Sequence, residues 1–156
     1  VLNRSIRENI SLPNLWHTHK GPFINRHREN VDVAEICRTF TVKAAGLESP
    51  AFSLSGGNQQ KVVLCKWLME NPRVMILDEP TRGIDVGAKA EIHRLMCEFA
   101  RKGMAIILIS AGLPEIMGRS DRVLVGCEGR LNGEFLRKDI VSGAVTQEDI
   151  LEKSFA

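Results

Sequence analysis

The stretch Ser53-Leu-Ser-Gly-Gly-Asn-Gln-Gln-Lys-Val-Val63 decides how the rest of the chain is read. A polar Ser-Gly-Gly step runs straight into a segment, Asn58 to Met69, that contains neither glycine nor proline. Glycine inside a helix costs roughly 1 kcal/mol against alanine, so Gly56 and Gly57 belong at an entrance. Val62, Val63, Leu64, Cys65, Trp67, Leu68 and Met69 make the ensuing helix apolar nearly all round. Such a helix is expected to pack on more than one side.

Working outward, Val31, Ala34, Ile36, Cys37 and Phe40 keep helical spacing, which predicts a helix from about Val31 to Thr41. Residues 1–30, with Pro13, Pro22 and several Asn, read as irregular. Downstream, the helix from Gly57 to about Glu70 stops at Asn71-Pro72. Val74 to Leu77 is a short apolar run, the form of a strand buried on both faces. A helix from about Val86 to Lys102 places Ile92, Leu95, Met96 and Phe99 on one face and ends at Gly103. Next come a second buried strand (MAIILIS), a short helix (LPEIMGRS) and a hairpin turning near Glu128-Gly129. The terminal helix opens on Thr146, with Asp149 three residues on in the manner of a capping box. Strand, helix, strand, helix points to an α/β fold with parallel strands.

Composition narrows the function classes. The chain has 156 residues, 44% apolar and 26% charged, with a net charge of +2. That is ordinary for one globular domain and gives no case for a polybasic nucleic-acid binder. Met104 to Ile109 is the longest clean apolar run, far short of the roughly 18–20 residues of a membrane span. No signal-peptide pattern opens the chain, and "VLNRSIRENI" has no initiator Met, as expected of a fragment or a processed chain. Cys37, Cys65, Cys97 and Cys127 form no CxxC pair and read as reduced thiols, buried in the case of Cys65 and Cys97. His17 and His19, two apart, have no neighbouring cluster to complete a metal site.

Asp78 and Glu79 come directly after the strand "VMIL", at the carboxyl end where open α/β sheets bind ligands. In extended geometry the two side chains point to opposite faces, so one could hold Mg²⁺ while the other orients a water. The alternative is a polar turn without chemistry. The neighbouring motifs weigh against it. "LSGGNQQ" (54–60), "VMILDE" (74–79) and "RGID" (82–85), in this order, resemble the signature motif, Walker B motif and D-loop of the ATP-binding cassette family of ATPases. Asn58 in place of the more common Gln, with "EPTRGIDVGAK", looks like the C-terminal cassette of bacterial tandem-cassette sugar importers.

The resemblance implies a P-loop NTPase-like α/β cassette, of which this is the C-terminal part. Residues 1–71 would be mostly the helical subdomain with the signature motif, and 72–156 the second half of the catalytic core. The G-x-x-x-x-G-K-[ST] phosphate loop and the Q-loop are absent, and "SIRENISL" resembles the stretch just after the Q-loop in the family. The resemblance further implies ATP and Mg²⁺ as cofactors, with Ser55, Gly56, Gly57 and Asn58 facing a γ-phosphate held by the opposite cassette. An anion at a helix N-terminus agrees with that. Asp78 would hold the metal through water, Glu79 would be the general base, and Asp85 would lie in the D-loop at the cassette interface. Arg82 reads either as a contact across that interface or as a solvated loop charge. At the switch position, where many cassettes carry His, this chain has Ala111, which leaves hydrolysis by this half in doubt.

The implied protein is an energy-coupling ATPase on the cytoplasmic face of a bacterial membrane, with a second cassette, permease subunits and, indirectly, a sugar-binding protein as partners. Trp16, Pro22 and Phe23 either pack the subdomain or receive a permease loop. The alternatives are a soluble cassette ATPase of translation or chromosome maintenance, and a non-catalytic half that lends its signature motif in trans.

Overall fold

The computed structural model describes residues 1–15, 19–20 and 23–155; Trp16, His17 and Pro22 lie outside the described residues. The chain forms two compact units, residues 1–107 and 108–156.

The first unit begins with a helix where irregular chain was expected. Ser5 caps α1 (Ile6–Ser11) and Glu8 reaches back to the Ser5 N–H, a complete capping box. The S-x-x-E spacing is a local helix signal that the surrounding prolines and asparagines mask. Ile6 and Ile10 of α1 are fully buried. A two-residue ribbon pairs β1 (His19–Lys20) with β2 (Phe23–Ile24), and Phe23 is exposed. Asn25 then caps α2 (Arg26–Thr39), which starts a turn and a half earlier than its apolar spacing indicates. Its polar first turn carries Glu29, 1% exposed, whose carboxylate lies 3.0 Å from Arg7 and accepts from the Ser11 hydroxyl at 2.6 Å. Arg7 also donates to Glu48, and that guanidinium holds the Glu48 carboxyl below its usual range.

Helix α3 (Gly56–Leu68) packs on α1 and α2 through Val62, Leu64, Cys65 and Leu68. It is not buried all round: Val63 and Trp67, one turn apart, are exposed, with Lys66 lying over the indole at 4.7 Å. Cys37 and Cys65 are buried and free, whereas Cys97 and Cys127 are only half-buried.

Strand β3 (Val74–Asp78) leads through α4 (Val86–Arg101) to β4 (Ala105–Ile109). β3 and β4 pair, and the Ala105 N–H bonds the Arg73 carbonyl at 2.9 Å, start beside start, as parallel strands do. The expected burial on both faces does not hold. Met75 and Leu77 are buried, while Val74 and Ile76 are 55% and 65% exposed. On β4 Ala105, Ile107 and Ile109 are exposed, with Ile106 and Leu108 half-buried. α4 buries Ile92, Leu95 and Met96 and stacks Phe99 on Phe40, with centroids 5.5 Å apart. Gly103, at φ +95°, ends it as expected.

The second unit holds α5 (Leu113–Arg119), a hairpin of β5 (Arg122–Cys127) and β6 (Arg130–Leu136), the short α6 (Arg137–Val141), which sequence reading missed, and α7 (Gln147–Phe155). Glu128 and Gly129 both have positive φ, the primed turn that a two-residue hairpin requires. Val123, Val125 and Ile150 form its core, with Ile116 and Phe135 against them. Thr146 and Asp149 form the expected cap, and the Thr146 donors hold the Asp149 carboxyl below its usual value. Among the described residues no helix is long and apolar enough to cross a membrane.

Candidate functional site

The Ser-Gly-Gly step stands where its chemistry requires. Ser55 is the N-cap of α3, in extended geometry, and Gly56 and Gly57 are its first two residues. An N-cap serine normally accepts from the backbone N–H two or three residues on. Ser55 makes no such bond. Its Oγ instead accepts from the Asn58 carboxamide at 2.9 Å. The Asn58 Oδ1 in turn accepts from the Lys43 backbone N–H, also at 2.9 Å. Among the described residues no acceptor takes the N–H groups of Gly56, Gly57 or Asn58. Ser55 and Gly56 are exposed. The helix start therefore presents a hydroxyl and the Gly56 N–H, with the dipole's positive end, at its exposed tip, while Gly57 is buried behind it.

The two glycines differ. A Cβ on Gly56 would meet nothing nearer than 3.9 Å, whereas one on Gly57 would stand 2.5 Å from the Ala88 Cβ. Gly57 thus lets α3 touch α4. One turn further along, Lys61, 4% exposed at its side chain, pairs with Glu91 at 2.7 Å and donates to the Thr41 carbonyl at 3.1 Å. Sequence reading missed Lys61. A lysine in an otherwise apolar stretch was the available signal; nothing marked Glu91 as its partner. Asp85 caps α4, its Oδ1 accepting from the Ala88 N–H at 2.9 Å. The "RGID" segment and the Ser-Gly-Gly step are therefore held side by side by two helix starts. Arg82, exposed, lines a cavity of about 310 Å³ with Gly56, Gln59 and Ile84.

Asp78 is the last residue of β3. It is exposed. Glu79 has φ +45°, a conformation that a non-glycine residue adopts rarely and that recurs at functional sites. The chain turns there, so the extended alternation assumed for Asp78 and Glu79 stops at Asp78. Among the described residues no group of three or more His, Cys, Asp or Glu could hold a metal alone. A hard cation bound by one exposed carboxylate, phosphate oxygens and water fits Asp78. In the second unit Ala111 is exposed and has no side-chain donor. Its neighbour Ser110 accepts from the Gly112 N–H at 3.1 Å and donates to Glu115 at 3.3 Å.

Known proteins resemble the chain in sequence and in fold. Residues 2–82 match the family model described as ABC transporter. A putative ribose/galactose/methyl galactoside import ATP-binding protein of Rhizobium etli is 52% identical over 97% of the chain and 28% of its own length. The ribose import ATP-binding protein RbsA of Bacillus subtilis is 50% identical over 97% of the chain and 30% of its own. The xylose import ATP-binding protein XylG of Geobacillus kaustophilus is 49% identical over 97% and 29%. The chain thus spans under a third of the length of these relatives. Among solved structures, a nucleotide-free ATP-binding cassette from an ABC transporter superposes with a TM-score of 0.80 at 19% identity, over 97% of this chain and 62% of that one. A dimeric cassette bound to ADP and Pi gives 0.73 at 20% identity, over 88% and 58%.

Proposed function

Because this chain belongs to the ABC transporter family, we propose that it carries the signature-motif half of an ATPase that drives uptake of a simple sugar such as ribose. The observation that carries this reading is that nearly its whole length is about half identical to ribose, galactose and xylose import ATP-binding proteins. In this reading two cassettes close head to tail over ATP. Ser55 and the backbone N–H groups at the start of α3 meet the γ-phosphate held by the opposite cassette. Asp78, exposed at the end of β3, would hold Mg²⁺ through water. The metal, when bound, neutralises charge that develops on the phosphates. Glu79, at a positive φ just after the strand, orients the attacking water. The ATPase works peripherally on the cytoplasmic face, where permease subunits take up the motion and a sugar-binding protein delivers the cargo.

A second reading is favoured by Ala111, which offers no side-chain donor at the switch position. This half would then lend its signature motif in trans and hydrolyse little ATP at its own Walker B site. The test uses the full-length gene product with its permease in vesicles, tracking labelled ribose, galactose and xylose. Ser55→Arg or Gly56→Asp should stop both ATP turnover and uptake, since each puts bulk or negative charge in the phosphate's path. Uptake that persists in these variants overturns the proposal. Glu79→Gln should slow turnover and spare nucleotide binding, whereas Asp78→Asn should weaken Mg²⁺-dependent binding. Unchanged turnover in Glu79→Gln would select the second reading.

A further inference from the structure

We infer that Asn58 is a positioning residue that fixes the direction in which the Ser55 hydroxyl points its proton. The reason lies in hydrogen-bond polarity. The Lys43 backbone N–H donates to the Asn58 side chain at 2.9 Å, and a backbone N–H can only donate. The atom facing it must therefore be the carboxamide oxygen, because the flipped amide would set donor against donor. The NH₂ end is then the one that faces Ser55, at 2.9 Å. An NH₂ group can only donate, so the Ser55 Oγ must accept, and its own proton is left to donate elsewhere. A backbone amide in the loop after α2 thus sets, through one carboxamide, the polarity of a hydroxyl at the start of α3.

The same carboxamide also changes how the helix is capped. A serine at an N-cap ordinarily accepts from its own helix, a bond whose loss costs about 1 kcal/mol. Here the Asn58 donor occupies Oγ, and no side-chain cap forms. The hydroxyl proton and the first N–H groups of α3 have no acceptor among the described residues, and of the residues that carry them Ser55 and Gly56 are exposed. A hydroxyl proton and backbone N–H groups that lack an internal acceptor suit an anion's oxygens. The Asn58 carboxamide, engaged at both ends, acts through Ser55 and does not itself meet a nucleotide. This rests on the reading that Ser55 meets a phosphate of ATP.

The experiment is a double-mutant cycle in the full-length protein, with Mg²⁺-ATP as the probe and turnover at saturating ATP as the readout. Ser55→Ala should slow turnover markedly. Asn58→Ala should slow it roughly fivefold, the effect of one misdirected hydrogen bond. In the Ser55→Ala background, Asn58→Ala should change turnover less than about twofold, because the hydroxyl it orients is gone. Asn58→Asp supplies the second arm. Its carboxylate still accepts from Lys43 but also accepts the Ser55 proton, reversing the hydroxyl. A negative charge in the first turn of a helix is favourable, so thermal stability should hold while turnover falls at least as far as in Asn58→Ala. Additive losses in the cycle, or an active Asn58→Asp, overturn the inference and leave the phosphate reading standing. A fully active Ser55→Ala overturns the phosphate reading itself.

Discussion

A Cβ added to Gly57 would stand 2.5 Å from that of Ala88, whereas one added to Gly56 would find ordinary van der Waals space. Alanine is the better helix former by about 1 kcal/mol, so Gly56→Ala should leave stability unchanged or slightly raised. Gly57→Ala must push α3 off α4, and overpacking of that kind costs about 1–3 kcal/mol. Urea titration should show the loss for Gly57→Ala and its recovery in Gly57→Ala/Ala88→Gly; equal stability of the two single variants would remove the packing role. Sequence alone marks both glycines as an entrance, correctly, and assigns both the same reason. Spacing along a chain cannot show that Ala88 lies across from Gly57, since that contact is made by tertiary packing. Glu79 teaches the same lesson: its place after a strand was legible, its φ of +45° was not.

At the scale of elements, the ends were more legible than the faces. Gly103 closing α4, the Glu128-Gly129 turn and the Thr146 cap all stand as chemistry predicts, because turn and cap residues act within a few positions of themselves. The Ser5 capping box is equally local, but Pro13, Pro22 and the asparagines around it mask the signal. Faces depend on partners. Val63 and Trp67 are exposed on a helix that is apolar nearly all round and that packs, as expected, on more than one side. On that same helix Lys61 is almost entirely buried and pairs with Glu91. Removing Lys61 takes the donor from the Thr41 carbonyl and the cation from the half-buried Glu91 carboxylate. Lys61→Met should therefore destabilise by about 1–3 kcal/mol, and the exposed Lys66→Met by much less. Lys61→Met/Glu91→Met should regain part of the loss, since replacing a whole ion pair by apolar groups is often neutral. Chemical denaturation of the four proteins decides it, and a Lys61→Met variant as stable as Lys66→Met would show that the pair does not hold α3 to α4.

At the scale of the whole molecule, two absences act together. β3 alternates buried Met75 and Leu77 with exposed Val74 and Ile76, and β4 leaves Ile107 half exposed. Strands of a parallel sheet are ordinarily covered on both faces. An uncovered row of β-branched residues on a two-stranded sheet, with its backbone edges open, is a template for association. The 156 residues also contain no G-x-x-x-x-G-K-[ST] loop. Phosphoryl transfer rests mostly on positioning, through a cradle of backbone N–H groups and a lysine that this loop supplies. Asp78 and Glu79 alone have nothing to hold a triphosphate over them. The 156-residue polypeptide by itself is therefore expected to show no Mg²⁺-ATP turnover above that of its Glu79→Gln variant, and to associate as its concentration rises. Val74→Thr/Ile76→Thr keeps the β-branched shape of the strand while making its outer face polar, so it should reduce association, read by light scattering, without restoring turnover. Turnover in the unmodified polypeptide that Glu79→Gln abolishes would mean that some other element of these 156 residues binds the triphosphate. Association unaffected by the two threonines would move its cause away from the β3 face.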